Sequence, residues 1–252
     1  MASLFATCII DQFYPGVGES TVAVLTRLGV DLDFPSGQTC CGQPAFNSGF
    51  WNDARPLAKR FLDVFEGDRY VVVPSGSCAA MIRVFYAELL HDQPEQLAKV
   101  RELAPWVFEL SEFIVDVLGV TDVSTVGAGS APSAGKKITY HPGCHLTREL
   151  GVVTQPRALI DSLPGINLVE MDRTDVCCGF GGTFSVKYPE ISAAMLQDKL
   201  DDIRGSGAGT VVACDSSCLM QIGGGLSRQQ IDVRPLHIAQ LLDEATRPEP
   251  RT

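Results

Sequence analysis

Short runs of β-branched and aromatic residues recur along the chain, separated by longer stretches in which apolar positions return every three or four residues. In the first half, residues 4–7, 30–34 and 70–73 are runs of the first kind and predict strands. Residues 19–28, closed by Gly29, and residues 51–65 carry the longer period and predict helices. The second half repeats the order, with strands predicted at 137–140, 167–171 and 210–213 and helices near 154–162 and 189–204. Strands alternating with helices imply an α/β fold built on parallel-type sheets. Ligands of such sheets gather outside the carboxyl ends of the strands.

The repetition extends to individual residues. The first half reads Cys8, then Cys40-Cys41-Gly42, then Pro74-Ser75-Gly76-Ser77-Cys78; the second reads Cys144, then Cys177-Cys178-Gly179, then Cys214-Asp215-Ser216-Ser217-Cys218. Cys8 and Cys40 are 32 positions apart, and Cys144 and Cys177 are 33 apart. Val71-Val72-Val73 precedes Cys78 as Val211-Val212-Ala213 precedes Cys218, and residues 112–118 parallel residues 237–242. Residues 121–136 are small, polar and rich in Gly, as expected of a linker. The chain therefore divides into two tandem, internally duplicated α/β halves, 1–130 and 131–252, with every repeated cysteine at the carboxyl end of a strand.

Composition narrows the function classes. With 45% hydrophobic and 20% charged residues, the chain has the make-up of a globular protein. A formal net charge of −10 argues against nucleic acid or an acidic membrane surface as partner. The first ten residues lack a basic n-region and Asp11 cuts their apolar run, so no secretory signal is expected. No apolar stretch reaches the roughly 18 residues of a membrane span, and a cytoplasmic protein without direct membrane insertion is expected.

Nine cysteines in such a chain point to metal binding or redox work rather than disulfides. Adjacent cysteines do not readily pair with each other, whereas two neighbouring thiolates suit one polymetallic centre. Four soft sulfur donors fit an iron–sulfur cluster or zinc and fit magnesium or calcium poorly. Structural zinc sites commonly start from a closely spaced Cys-x₂₋₄-Cys pair, whereas these ligands arrive singly with one adjacent pair. Iron–sulfur, zinc and thiol redox chemistry all stay open on spacing alone.

Other residues carry weaker signals. Cys214 has Pro74 as its counterpart and reads as a spare, buried thiol. Asp215 aligns with Ser75 and is expected to cap the following turn locally. His145 is a polar loop histidine or a hydrogen-bond donor to a cluster, and His141 and His237 are given structural roles. The glycines of Phe180-Gly181-Gly182-Thr183-Phe184 lack the lysine of a phosphate loop and fit close approach of backbone to a metal centre.

The twice-repeated arrangement Cys-x₃₁-Cys-Cys-Gly…Cys, one residue longer in the second copy, resembles the cysteine-rich CCG-domain family found in heterodisulfide reductases and related oxidoreductases. The strings at 40–49 (CCGQPAFNSG) and 177–190 (CCGFGGTFSVKYPE), with Arg148-Glu149-Leu150-Gly151, look like the LutA/YkgE branch of lactate utilization proteins. That resemblance implies an iron–sulfur electron-transfer subunit of an L-lactate dehydrogenase complex oxidising lactate to pyruvate with LutB/LutC-like companion subunits. It also implies two ligand sets, Cys8, Cys40, Cys41 and Cys78 in one half and Cys144, Cys177, Cys178 and Cys218 in the other. The broader family ends its motif in Cys-x-x-Cys, and Ser75 and Asp215 replace the earlier cysteine here. One four-thiolate [4Fe-4S] cluster per half is therefore expected rather than a five-thiolate centre. A zinc-stabilised assembly scaffold and a heterodisulfide-reductase-like thiol/disulfide oxidoreductase using Cys214 are the alternatives. The sequence carries no nicotinamide or flavin motif, so a hydride acceptor would belong to a companion.

Overall fold

The computed structural model describes residues 1–124, 126 and 135–247. The expected boundary near residue 130 lies outside the described residues. Eight strands form two four-stranded sheets: β1 (Ala2–Leu4), β2 (Leu32–Asp33), β3 (Val71–Val73) and β4 (Val107–Glu109), then β5 (Lys136–His141), β6 (Ile166–Leu168), β7 (Thr210–Ala213) and β8 (Arg234–His237). The strand orders are β2-β1-β3-β4 and β6-β5-β7-β8, and every pairing is parallel. Each half is thus the same open α/β unit, as the duplicated sequence implies.

The helices form where the long period of apolar positions demands them. Trp51–Val64 and Pro189–Gly205 match their expected ranges closely; the first buries Ala54, Ala58, Phe61 and Leu62, and the second buries Leu200 and Ile203 with Ser192, Lys199 and Asp202. Two differences stand out at the strands. The first strand ends at Leu4, because Thr7 is already the extended cap of a helix that starts on Cys8. The pattern of apolar positions does not predict β4 and β8; they are edge strands of three and four residues, and Pro235 interrupts the second. Pro is tolerated there because an edge strand leaves one row of amides unpaired.

The halves pack on each other through one continuous apolar cluster. It joins Val24, Leu25, Val72 and Leu110 of the first half to Ile138, Tyr140, Leu146, Val212 and Leu241 of the second. Separate, smaller clusters fill the outer side of each sheet. The helix Pro15–Arg27 packs on the helix Ile238–Thr246 of the other half, and Gln155–Asp161 packs in the reciprocal place against Leu110–Glu112 and Phe113–Val117. At the first contact Asp243 accepts hydrogen bonds from Ser20 (3.2 Å) and from Arg27, while Arg27 also donates to Thr246 (2.8 Å).

β4 and β8 end in equivalent residues, Glu109 and His237, which corrects the expected match of 112–118 with 237–242 by three positions, and each caps the helix that follows. Glu109 accepts from the amides of Ser111 (2.7 Å) and Glu112 (3.4 Å), and Glu112 accepts in return from the Glu109 amide (3.2 Å). His237 Nδ1 accepts from the Ala239 amide (3.2 Å), and Gln240 closes the reciprocal bond. This gives His237 the structural role expected from sequence.

Glu109 is fully buried, and burial pushes its carboxyl up to about 8 despite the hydrogen bonds from Ser111 and Glu112. The folded protein therefore keeps a proton that the unfolded chain, with a carboxyl near 4.5, releases. The stability linked to that proton is complete below about pH 4.5, declines as pH rises, and is gone above about 8. The unfolding free energy of the wild type, read from urea titrations, should fall across this window by on the order of a few kcal/mol relative to Glu109→Gln. Parallel pH profiles for the two proteins would remove Glu109 as the cause.

Candidate metal centre

All eight repeated cysteines lie beyond the carboxyl ends of strands. Cys8 and Cys144 open the helices after β1 and β5, and Cys78 and Cys218 sit in the first turn of the helices after β3 and β7. The Cys-Cys-Gly pairs lie in the loops after β2 and β6. The turn after each pair needs a left-handed glycine: Gly42 has φ of 86° and Gly179 has φ of 83°. A Cβ on Gly179 would lie 2.7 Å from the Ser192 carbonyl oxygen, so no other residue fits without displacing backbone.

Within each half the four sulfurs form a chain of contacts. Cys8 Sγ lies 3.6 Å from Cys40 Sγ, and Cys41 Sγ lies 3.3 Å from Cys78 Sγ. In the second half Cys177 is hydrogen-bonded to Cys144 and Cys178, and Cys178 to Cys218. The Gly42 amide donates to Cys40 Sγ and the Gly179 amide to Cys177 Sγ, both at 3.4 Å. The Cys-Cys-Gly loops are braced differently. Tyr86 donates to the Cys41 carbonyl (2.9 Å), whereas Ser192 donates to the Gly179 carbonyl (2.8 Å) and is itself held by Gln221 (2.9 Å).

These contacts polarise the thiols. Hydrogen bonds from Cys41 and then Cys8 pull Cys40 down to about 3, and hydrogen bonds from Cys144 and then Cys178 pull Cys177 down to about 2. Cys8 and Cys41 are pushed up, first by donating to Cys40, and Cys144 and Cys178 are pushed up by donating to Cys177. Each quartet thus holds one thiolate on its Cys-Cys-Gly loop, the form in which sulfur binds metal.

Both quartets open onto one cavity of about 280 Å³. Ile9, Pro44 and Phe180 add apolar wall, and Gly181 and Gly182 line it with left-handed backbone, which bears out close approach of that loop to the site. The resemblance implied one ligand set in each half, and the shared core turns both quartets toward the same space. Their donor set is soft, buried to half-buried and preassembled, and it fits the iron–sulfur or zinc centre that the residue types implied.

The seam between the quartets is polar and runs from one half to the other. Asp215 stands at the cap position of its helix but makes no local cap. Its carboxylate instead accepts from Ser75 Oγ (2.7 Å), Ser77 Oγ (2.8 Å) and the Ser77 amide (2.9 Å). The local cap expected of Asp215 is therefore corrected: the loop after β3 lies close enough to offer three donors that Asp215's own helix does not. Burial raises the Asp215 carboxyl even against those three bonds. Ser75 provides the local cap in its own half, accepting from the Cys78 amide (3.3 Å). Beside this seam, Gln43 donates both to the Ser77 carbonyl (3.0 Å) and to His145 Nδ1 (3.1 Å). That fixes the remaining proton of a neutral His145 on Nε2.

Cys214 is buried outside the cavity, with its sulfur 3.4 Å from the Tyr140 hydroxyl. It is buried as expected of a spare thiol, and burial pushes it well up, which disfavours the thiolate used in exchange chemistry. His141, by contrast, lines the cavity although nothing in its sequence setting singles it out for that place. Burial lowers its imidazole to about 3 and keeps it neutral.

A twice-built cysteine-rich unit of this kind defines a class, and residues 2–83 and 138–223 each match the cysteine-rich domain family named CCG. Over 241 residues, 96% of this chain and 98% of the relative, the sequence is 46% identical to lactate utilization protein A of Bacillus velezensis. It is 44% identical over the same shares to lactate utilization protein A of Bacillus subtilis. The chain belongs to the lactate utilization protein A family. A crystal structure of a hypothetical protein from Helicobacter pylori superposes on the whole chain with a TM-score of 0.62 at 13% identity, a likeness of fold alone. This chain spans 49% of that protein's length. Among the described residues, no helix is long and apolar enough to cross a membrane.

The thiolate assignment can be read by alkylation of the metal-free protein. Iodoacetamide at pH 5 should label Cys40 and Cys177 first, because those two remain ionised there. Peptide mapping that finds all eight cysteines inert until about pH 8 would contradict the thiolate assignment.

Proposed function

We propose that this protein is an iron–sulfur electron-transfer subunit acting in the oxidation of L-lactate to pyruvate, with one [4Fe-4S] cluster held by each cysteine quartet. The observation that carries the reading is the gathering of eight thiols, delivered from six loops, into two sulfur chains around one cavity. Relatives 46% and 44% identical along nearly the whole chain are named for lactate utilization, which supports the substrate. Cys8, Cys40, Cys41 and Cys78 would hold one cluster and Cys144, Cys177, Cys178 and Cys218 the other. When bound, such clusters supply one-electron transfer at potentials set by burial and by hydrogen bonds to sulfur.

The chain's own groups serve that role. The Gly42 and Gly179 amides donate to ligand sulfurs and disperse their negative charge. Ile9, Pro44 and Phe180 limit water in the cavity. Asp215, Ser75 and Ser77 fix the two quartets at one separation, a requirement for transfer between them. Two one-electron centres match the two electrons that leave lactate when it becomes pyruvate. Companion subunits of the LutB/LutC type would carry the chemistry on the organic substrate.

One observation favours a second reading. Sulfurs 3.6 Å and 3.3 Å apart approach the edge of about 3.8 Å expected for four sulfurs at roughly 2.3 Å around a single zinc ion. A zinc-stabilised scaffold would then assemble a complex without carrying electrons.

Anaerobic purification followed by iron and acid-labile sulfide analysis separates the two readings. The expected product is brown, carries about four iron and four sulfide per quartet, and gives an EPR signal on reduction. A colourless, zinc-loaded protein without sulfide overturns the iron–sulfur reading. The substrate is tested independently by deleting the gene in a host with no other lactate oxidase. Growth on L-lactate should be lost there, and undiminished growth would remove lactate from the reading.

A further inference from the structure

The two quartets are alike in cysteines but not in what faces them. By strand register, β5 pairs with β7 so that His141 lies opposite Ala213, and β1 pairs with β3 so that Leu4 lies opposite Val72. Phe5 follows Leu4, its amide donating to the Val72 carbonyl, and lies three residues before Cys8; it is therefore the counterpart of His141, three residues before Cys144. The first half places a phenyl ring where the second places an imidazole. Phe5 is spent on packing, edge-on to Phe61 at 5.0 Å and to Phe65 at 5.8 Å.

His141 is not explained by packing. Its side chain is 1% exposed, and Nδ1 has no hydrogen-bond partner among the described residues. A buried polar nitrogen without a partner is unfavourable, so its retention calls for a ligand. A ring nitrogen of His141 and the sulfurs of Cys178 and Cys218 all lie within 4.8 Å of one another, on the wall of the cavity. Imidazole nitrogen beside two sulfurs is a donor combination suited to a transition metal.

We infer that His141 donates a ring nitrogen to the metal centre of the second half, on the side of Cys178 and Cys218 and in place of one thiolate of that quartet, so that this centre has a mixed sulfur and nitrogen donor set. The centre of the first half, with Phe5 in the matching place, is held by sulfur alone. The two centres are chemically inequivalent in spite of their duplicated cysteines. This assignment rests on the reading that the quartets hold metal, and it deepens that reading by separating the halves.

The test uses the full chain purified anaerobically from cells fed ¹⁵N-histidine or unlabelled histidine. Metal and sulfide are measured first: a protein without metal in the second quartet takes down the underlying reading and the inference with it. With iron present, pulsed EPR of the reduced protein should show a directly coordinated imidazole nitrogen whose coupling changes with the label. That coupling should persist in His145→Gln, whose ring lines the same cavity, and disappear in His141→Phe, which copies the first half. An iron-loaded protein whose spectrum ignores the label, or keeps the coupling in His141→Phe, overturns the inference and leaves the iron–sulfur reading standing. Should His141→Phe fail to fold, the labelled wild type and His145→Gln still decide, because His91 and His237 do not line the cavity. If the metal is zinc, X-ray absorption at the zinc edge should show a nitrogen scatterer, and a pure sulfur shell overturns the assignment.

Discussion

Parallel strands present all their carboxyl ends on one side of a sheet, and this constraint decides where every functional side chain of this protein can lie. Hairpins are excluded, so each strand must be followed by a crossover. The loops that begin those crossovers are the places from which a cysteine can reach a common point. A single sheet of four short strands brings three such loops together and gathers four sulfurs. The second sheet does the same, and the apolar cluster shared by Val72, Leu110, Tyr140 and Val212 turns the two sets toward each other. Burial of that cluster, not any attraction between thiols, holds the sulfurs close. Eight acidic-prone groups crowded around one cavity repel as they ionise, and the packing of the halves must oppose that repulsion.

The seam of Asp215, Ser75 and Ser77 shows how that opposition is arranged. Both serines and the aspartate occupy the turns just before the last cysteine of each quartet. Three hydrogen bonds from one turn to the carboxylate of the other tie the two turns together. Removing the carboxylate would leave two hydroxyls and an amide to find new partners in a buried place. The contact is asymmetric, since the carboxylate comes from one half and all the donors from the other. A duplicated fold has here exchanged a symmetric contact for a complementary one.

Much of this organisation is legible in the sequence. Helix 51–65 and strand 210–213 are readable because both are bounded by clear turn residues and carry one period throughout. The eight cysteines are readable because their spacing occurs twice. β4 and β8 are not, since strands of three or four residues with one proline hold too few positions to show alternation. The partner of Asp215 is also hidden. Its counterpart in the repeat, Ser75, caps locally, and nothing in the order of residues states that the two turns touch. The common cavity is hidden for the same reason: a repeat reveals each unit but not the angle at which two units pack.

His141 marks the limit of reading a duplication by what its copies share. The matched cysteines draw the eye away from the mismatched position three residues earlier, where phenylalanine faces histidine across the pseudo-repeat. Matching positions report the chemistry that both halves need; mismatched positions near the site report how the halves differ in use. Identical ligand spheres in identical folds would give two metal centres nearly equal properties. The protein already departs from symmetry around the second quartet, with His141 on the cavity wall and with Ser192 and Gln221 bracing the loop that Tyr86 braces in the first. Each difference alters burial, charge or hydrogen bonding at sulfur, the same levers that set a cluster's potential. The duplication supplies two sites, and the unmatched residues around them make those sites unequal.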